Sequence, residues 1–171
     1  MATKLYLHNS AADIGGNFWE ALDSVPASPA GTGTTRSTTT TASGTEIQLT
    51  QTAGGTVMEW VSGYATGAFT LSGTVTAGMV ARESANTVNA KLRAKVWRRV
   101  TAGTGTLVAT LDMAAELLTT DAANSWTGSP SSTAFAINDR IVVRFYATNQ
   151  GTMAAGSVTS RTAGTNGQNF I

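Results

Sequence analysis

A chain of 171 residues with eleven basic and ten acidic side chains and a net charge of +1 can bury one sizeable core, whereas two domains would each be small and poorly buried. The absence of cysteine excludes disulfides, thiolate chemistry and Cys-ligated zinc, and fits a chain made in a reducing cytoplasm. Thirty Thr and eighteen Gly against three Pro favour strands and tight turns over helices.

Charged residues, at 12%, are about half the usual share, so solubility rests on hydroxyls and amides. That composition suits a surface lying against a partner, and also a Thr-rich strand surface with no partner at all. Met1 is followed by no apolar signal-like run, and no stretch approaches the roughly 18 apolar residues of a membrane span, so secretion and membrane insertion are not expected.

Residues 4–8 (K-L-Y-L-H) read as a short first strand or as an arm that docks elsewhere. Residues 11–29 mix Gly15, Gly16, Phe18, Trp19, Leu22 and two prolines without a sustained period, and 30–43 are almost entirely Gly, Thr, Ser and Ala. Such a stretch cannot by itself bury enough apolar surface to offset its ordering entropy. Residues 1–43 are therefore expected to be a loosely structured N-terminal arm, and 44–171 a β-sandwich domain that folds without it. Phe18 and Trp19 either tuck under that domain or anchor the arm on a neighbouring molecule.

From Gly44 the pattern is regular. Ile47 and Leu49 alternate with Glu46, Gln48 and Thr50, Ala53, Gly54 and Gly55 form a turn, and 56–62 return as a hairpin strand. Its Met58 and Trp60 side faces the core, because Glu59 lies on the other. Residues 69–82 alternate over a length unusual for one strand, so Gly73 or Gly78 marks a bulge or bend. In 88–100, Ala90, Leu92, Ala94 and Val96 point inward, while Lys91, Arg93, Lys95, Trp97 and Arg99 line up outside. Arg98 is in phase with the inner face and needs a sheet edge or a carboxylate within reach.

A strand over 106–113 follows, and 114–118 form one helical turn or continue the strand. Residues 121–132 are a polar loop holding Trp126, and 132–137 a short strand. The most regular element is 138–149, where Ile141, Val143, Phe145 and Ala147 face the core and Val142, Arg144, Tyr146 and Thr148 face out. A further strand covers 156–162. About eight strands, short turns and no βαβ alternation give an all-β fold, an antiparallel β-sandwich that is jelly-roll-like ahead of immunoglobulin-like.

The one histidine, His8, would have to carry any Ser-His-Asp arrangement from the first strand or arm, and a structural or interface role fits it better. The acids are scattered over separate elements, and no calcium-loop, H-E-x-x-H or phosphate-loop motif occurs. No catalytic residue, cofactor or metal ligand is assigned, and enzyme activity is not expected. Protein-interface candidates are Tyr6, His8, Phe18, Trp19 and the stripe Lys91, Arg93, Lys95, Trp97 and Arg99. The stripe suits phosphates with an indole on a base, or an acidic protein surface, yet Lys and Arg on an exposed strand also simply solubilise it and block edge pairing. The near-neutral net charge speaks against nucleic acid. Trp126 is the candidate for stacking on a sugar, while Trp60 is assigned to the core.

Residues 4–8, F-T-L-S-G-T-V at 69–75, E-S-A-N at 83–86, W-T-G at 126–128, S-T-A-F at 132–135, D-R-I-V-V-R at 139–144, Thr148 with Asn149, and G-T-M at 151–153 carry a resemblance over most of the chain. It is similar to small β-sandwich structural proteins of tailed bacteriophages, of the capsid decoration or cement type and of the head-fibre or tail adhesion type. Asn138 departs from the turn glycine expected there, and the chain stops at Ile171, where a closing strand is expected. The resemblance implies a virion structural protein on the capsid surface, made in the host cytoplasm. Its partners would be the major capsid protein and neighbouring virion proteins, with homo-oligomerisation, by analogy as a trimer. The alternative it implies is a receptor- or carbohydrate-binding module of a head fibre or tail.

Overall fold

The structure, a computed structural model, describes residues 4–13, 18–22, 34–42, 44–50, 57–100, 103, 105–162 and 170–171. Among them the strands in chain order are β1 (Tyr6–Ala11), β2 (Phe18–Leu22), β3 (Thr34–Thr40), β4 (Gly44–Gln48), β5 (Glu59–Ser62), β6 (Phe69–Leu71) and β7 (Val75–Glu83). They continue as β8 (Lys91–Arg99), β9 (Gly105–Asp112), β10 (Ala122–Gly128), β11 (Thr133–Phe135), β12 (Arg140–Met153) and β13 (Gly156–Thr162). No helix occurs among the described residues, and the stretch 114–118 is neither helix nor strand.

Two sheets make an antiparallel β-sandwich. The larger runs β1-β2-β5-β12-β8-β9, with β4 beside the other half of β12, and the smaller runs β10-β7-β13-β3. Among the described residues every strand pairing is antiparallel except that of β2 with β5. The most regular stretch of the sequence is thus the middle strand of the larger sheet. One edge of β12 pairs with β8 from Arg140↔Arg99 to Thr148↔Lys91. The other edge is shared, with β5 against Val142 to Arg144 and β4 against Tyr146 to Thr148. Between those two, Leu49 N–H donates to the Phe145 carbonyl at 2.8 Å.

The alternation along β12 is kept, because a strand shows successive side chains to opposite faces. Val143, Phe145 and Ala147 are fully buried, as are Met58 and Trp60 on the neighbouring edge. Phe145 is met edge-on by an indole from each sheet, Trp60 at 5.6 Å and Trp126 at 6.1 Å between ring centroids. Burying an indole leaves its N–H in need of an acceptor. Trp60 Nε1 donates to the His8 carbonyl at 2.9 Å and Trp126 Nε1 to the Leu111 carbonyl at 3.0 Å. Gly128 lets β10 come this close to β9, since a Cβ there would lie 2.9 Å from Leu111 Cγ and 3.3 Å from Leu111 Cα.

The long strand expected over 69–82 is broken into β6 and β7 around Gly73, whose φ of +83° is a conformation favoured by glycine. The described residues already hold more strands than the eight read from the pattern, since β3 and β10 have too few apolar residues to alternate visibly and the short β2 is apolar on both faces.

The N-terminal segment differs most from expectation. Its described parts are not a loose arm: β1 and β2 extend the larger sheet, and β3 pairs along its whole length with β13. Leu7 and Ala21 are buried in the common core, and Thr38 and Thr40 are buried on β3. Thr40 Oγ1 donates to the Ala154 carbonyl at 2.8 Å, and Thr38 Oγ1 accepts the Thr50 N–H at 2.7 Å. A segment poor in apolar residues can still be ordered when its backbone completes a sheet that others have nucleated. The boundary at residue 43 therefore does not separate two structural units.

Deleting residues 1–43 is accordingly expected to abolish cooperative unfolding, read by circular dichroism in urea; a sharp transition for the truncated chain would restore the arm. Phe145→Ala removes the ring between two indoles and is expected to cost about 3–5 kcal/mol in the same assay.

Candidate interaction surface

The stripe expected on β8 lies where the register puts it. Lys91, Arg93, Lys95, Trp97 and Arg99 stand on the outer face of the larger sheet, each half-buried, between the fully buried Leu92, Ala94 and Val96. It is not a free cationic patch. Glu46 on β4 accepts Arg93 Nη1 and Lys95 Nζ, each at 2.5 Å, by reaching across β12. Arg93 also holds Asp112 of β9 with two donors, Nε at 2.5 Å and Nη2 at 3.1 Å. Three strands, β4, β8 and β9, are thus stitched across β12 by one cluster of two cations and two carboxylates.

The same side chains cover the outer face of β12. Lys95 Nζ lies 4.6 Å from the Tyr146 ring centroid, and the Arg144 guanidinium lies 4.9 Å from the Trp97 ring. Arg144 Nε is 2.5 Å from Glu59 Oε1 on β5. Trp97 packs on a small second cluster of Ala12, Val61 and Val142. This explains why Val142 and Tyr146, expected to face solvent, are buried: the Trp97 ring lies over the first and the Lys95 side chain over the second, and Thr148 is buried beside them.

Described residues of this face line two clefts. One, of about 280 Å³, is lined by Glu46, Lys91, Arg93, Asp112 and Thr148. The other, of about 220 Å³, is lined by Trp97, Arg99, Gly103, Gly105 and Arg144.

Burial pushes the Glu46 carboxyl upward, but hydrogen bonds and charge from Lys95 and Arg93 outweigh it and hold it below the usual carboxylate range. Arg93 is raised, chiefly by its bond to Asp112. The prediction for Arg98 is met: its Nε reaches the buried Asp139 Oδ2 at 2.7 Å. Asp139 is lowered, first by the Ala136 N–H it accepts at 2.7 Å and then by Arg98.

The other candidates fall in separate places. Tyr6 is half-buried on β1, bridged to Phe170, with Lys4 Nζ 5.0 Å from its ring. His8 is half-buried beside Trp60, and no group of three metal-ligating side chains exists among the described residues. Phe18 and Trp19 belong to β2, in register with Glu59 and Trp60, and their side chains lie outside the described residues. Trp126 is a correction: it is on β10, 6% exposed, with its N–H bonded, and offers no face to a sugar. Its polar neighbours suggested a loop, yet they are simply the outward residues of a strand whose one large inward side chain is the indole.

Sequence reasoning missed the partners rather than the stripe. Asp13, Glu46, Glu59, Asp112, Asp121 and Asp139 each pair with Arg or Lys. Their scatter along the chain hid this, since the pairing depends on strand order.

No protein-family model matches the chain, and no curated protein matches it in sequence. Solved structures do match in fold. A CocE/NonD family hydrolase from Staphylococcus aureus covers 99% of this chain with 35% of its own length, at a TM-score of 0.63 and 12% identity. An aminopeptidase from a marine sediment Thaumarchaeota archaeon covers 66% of this chain with 24% of its own, at a TM-score of 0.51 and 11% identity. At such identities the likeness is one of fold, and this chain spans about a third or less of the length of those proteins.

With folded values below the unfolded ones, Glu46 and Asp139 contribute stability that is present at neutral pH and lost as the pH falls through their folded values. Glu46→Gln should lower stability at pH 7 by about 1 kcal/mol or less per half-exposed pair and flatten the acid limb of a urea-midpoint profile. An acid limb unchanged by the substitution would show that the cluster carries no stability.

Proposed function

We propose that this chain is a non-enzymatic structural protein of a virus particle, a decoration or cement protein that binds the outer surface of a tailed-phage head and stabilises it. The observation that carries the non-enzymatic part is the fate of the carboxylates. Six of them are tied to Arg or Lys, three from strands and three from the turns beside β1, β10 and β12, so they serve as cross-links of the fold and leave few acids for proton transfer. A cross-linked sheet face suits a protein that works by docking, because little has to be ordered when it binds. The virion part rests on the sequence resemblance, and its partners on that reading are the major capsid protein and neighbouring virion proteins.

A second reading is favoured by the fold likeness: nearly the whole chain corresponds to about a third of a hydrolase. Here the chain would be an accessory part of a larger enzyme, and the chemistry would reside in another part of that protein.

Copy number in purified particles separates these readings. A decoration protein is expected on the order of hundreds of copies per particle, matching the capsid lattice. A handful would move it to a fibre or tail as a receptor- or carbohydrate-binding module. Absence from particles, together with ester or peptide hydrolysis by the protein, would overturn the proposal.

A further inference from the structure

The outer face of the larger sheet is neutralised unevenly. The cleft of about 280 Å³, at the Lys91 end of β8, has two carboxylates, Glu46 and Asp112, beside its cations. The cleft of about 220 Å³, at the β8–β9 turn, is lined by Trp97, Arg99, Gly103, Gly105, Val142 and Arg144. Among those lining residues are two guanidiniums and no acid.

The turn builds this cleft. Gly103, at a φ of +90°, donates its N–H to the Val100 carbonyl at 2.9 Å, and the chain returns with Gly105 opposite Arg99 and Leu107 opposite Trp97. Opposed residues of an antiparallel pair share a face, so Leu107, 45% exposed, stands beside the indole. The two glycines leave the space open. A Cβ at 103 would lie 3.7 Å from Arg99 Nη2, and one at 105 would lie 3.7 Å from Trp97 Cε3. Arg144 is held in place by the buried Glu59, 2.5 Å from its Nε, and by the Trp97 ring at 4.9 Å. Both guanidiniums keep their charge at any ordinary pH, whatever else they touch.

We propose that this cleft is a socket for one Asp or Glu side chain of a partner protein, whose apolar neighbour lies on Leu107 and Trp97. Size selects a side chain, since sites for whole small molecules hold about 300–1,000 Å³. Charge selects an acid, because the planar fork of a guanidinium matches a carboxylate. The exposed Leu107 beside the indole selects a protein segment over a bare anion, since both gain by leaving water. The inference names the side chain that a docking face would take, and so rests on the docking reading proposed above.

The test is an NMR titration of the full chain with the peptide acetyl-Gly-Leu-Glu-Gly-amide, read at the Trp97 indole N–H and the Arg99 Nε–H. Both signals should shift saturably, and added salt should weaken binding because the site faces solvent. The Gln peptide should bind about two- to fivefold more weakly, the scale of one exposed ion pair, and R99Q should lose the same factor for the Glu peptide. G105V, which grows a side chain into the cleft and removes no charge, should bind neither peptide. Equal affinity for the Glu and Gln peptides would overturn the proposal. So would G105V binding like wild type, or tighter binding of inorganic phosphate or glucuronate than of the Glu peptide. If G105V does not fold, an R99Q affinity equal to wild type is the overturning result. Copy number on particles tests the docking reading separately. Peptide binding as described by a protein missing from particles would fell that reading and keep the socket, whereas a full coat with no binding would fell the socket alone.

Discussion

The fold depends on β12 being hydrogen-bonded along both edges. A middle strand exposes no unpaired backbone, so its side chains alone decide what lies above and below it. Below, Phe145 fixes the spacing of the sheets by standing between Trp60 and Trp126. Above, Arg144, Tyr146 and Thr148 provide the floor on which the charged cluster lies. That β4 and β5 take turns along one edge follows from the strand's fourteen residues, which exceed what either short partner can cover.

Charge is used sparingly and internally. With ten acids in the chain, pairing six of them, three on strands and three in the turns beside them, makes the carboxylates part of the scaffold. Glu46 illustrates the logic, as one carboxylate neutralises two cations from the same strand while spanning another. Exposed pairs of this kind add little stability each, but several sharing members restrict how the strands can slide. The outer sheet face consequently presents rings and aliphatic stems held in place by charges that already have partners.

What was legible in the sequence was local. The phase of β12, the inward side of Met58 and Trp60, a break at Gly73 or Gly78 and the need of Arg98 for a sheet edge or a carboxylate all follow from period two, from the strand's length or from the cost of an unpaired charge. What was not legible depends on strand order. The Thr-rich β3 has no apolar alternation and is ordered by β13, which follows it by more than a hundred residues. Trp126 looked exposed because its neighbours are polar, and only the facing sheet makes it core. The cations of β8 were visible, and their partners on β4 and β9 were not, because register across three strands is not written in any one of them.

The placement of the two buried indoles has a practical consequence. Trp60 belongs to one sheet and Trp126 to the other, and both lean on the same phenyl ring with their N–H groups tied to backbone carbonyls. Any event that parts the layers wets both rings and frees the Trp126 donor, whose acceptor lies on the opposite sheet, while Trp60 keeps its acceptor within its own sheet; among the described indoles, a change confined to the outer face touches Trp97. The molecule thereby carries an intrinsic optical gauge of its own thickness, read by emission colour without any attached dye.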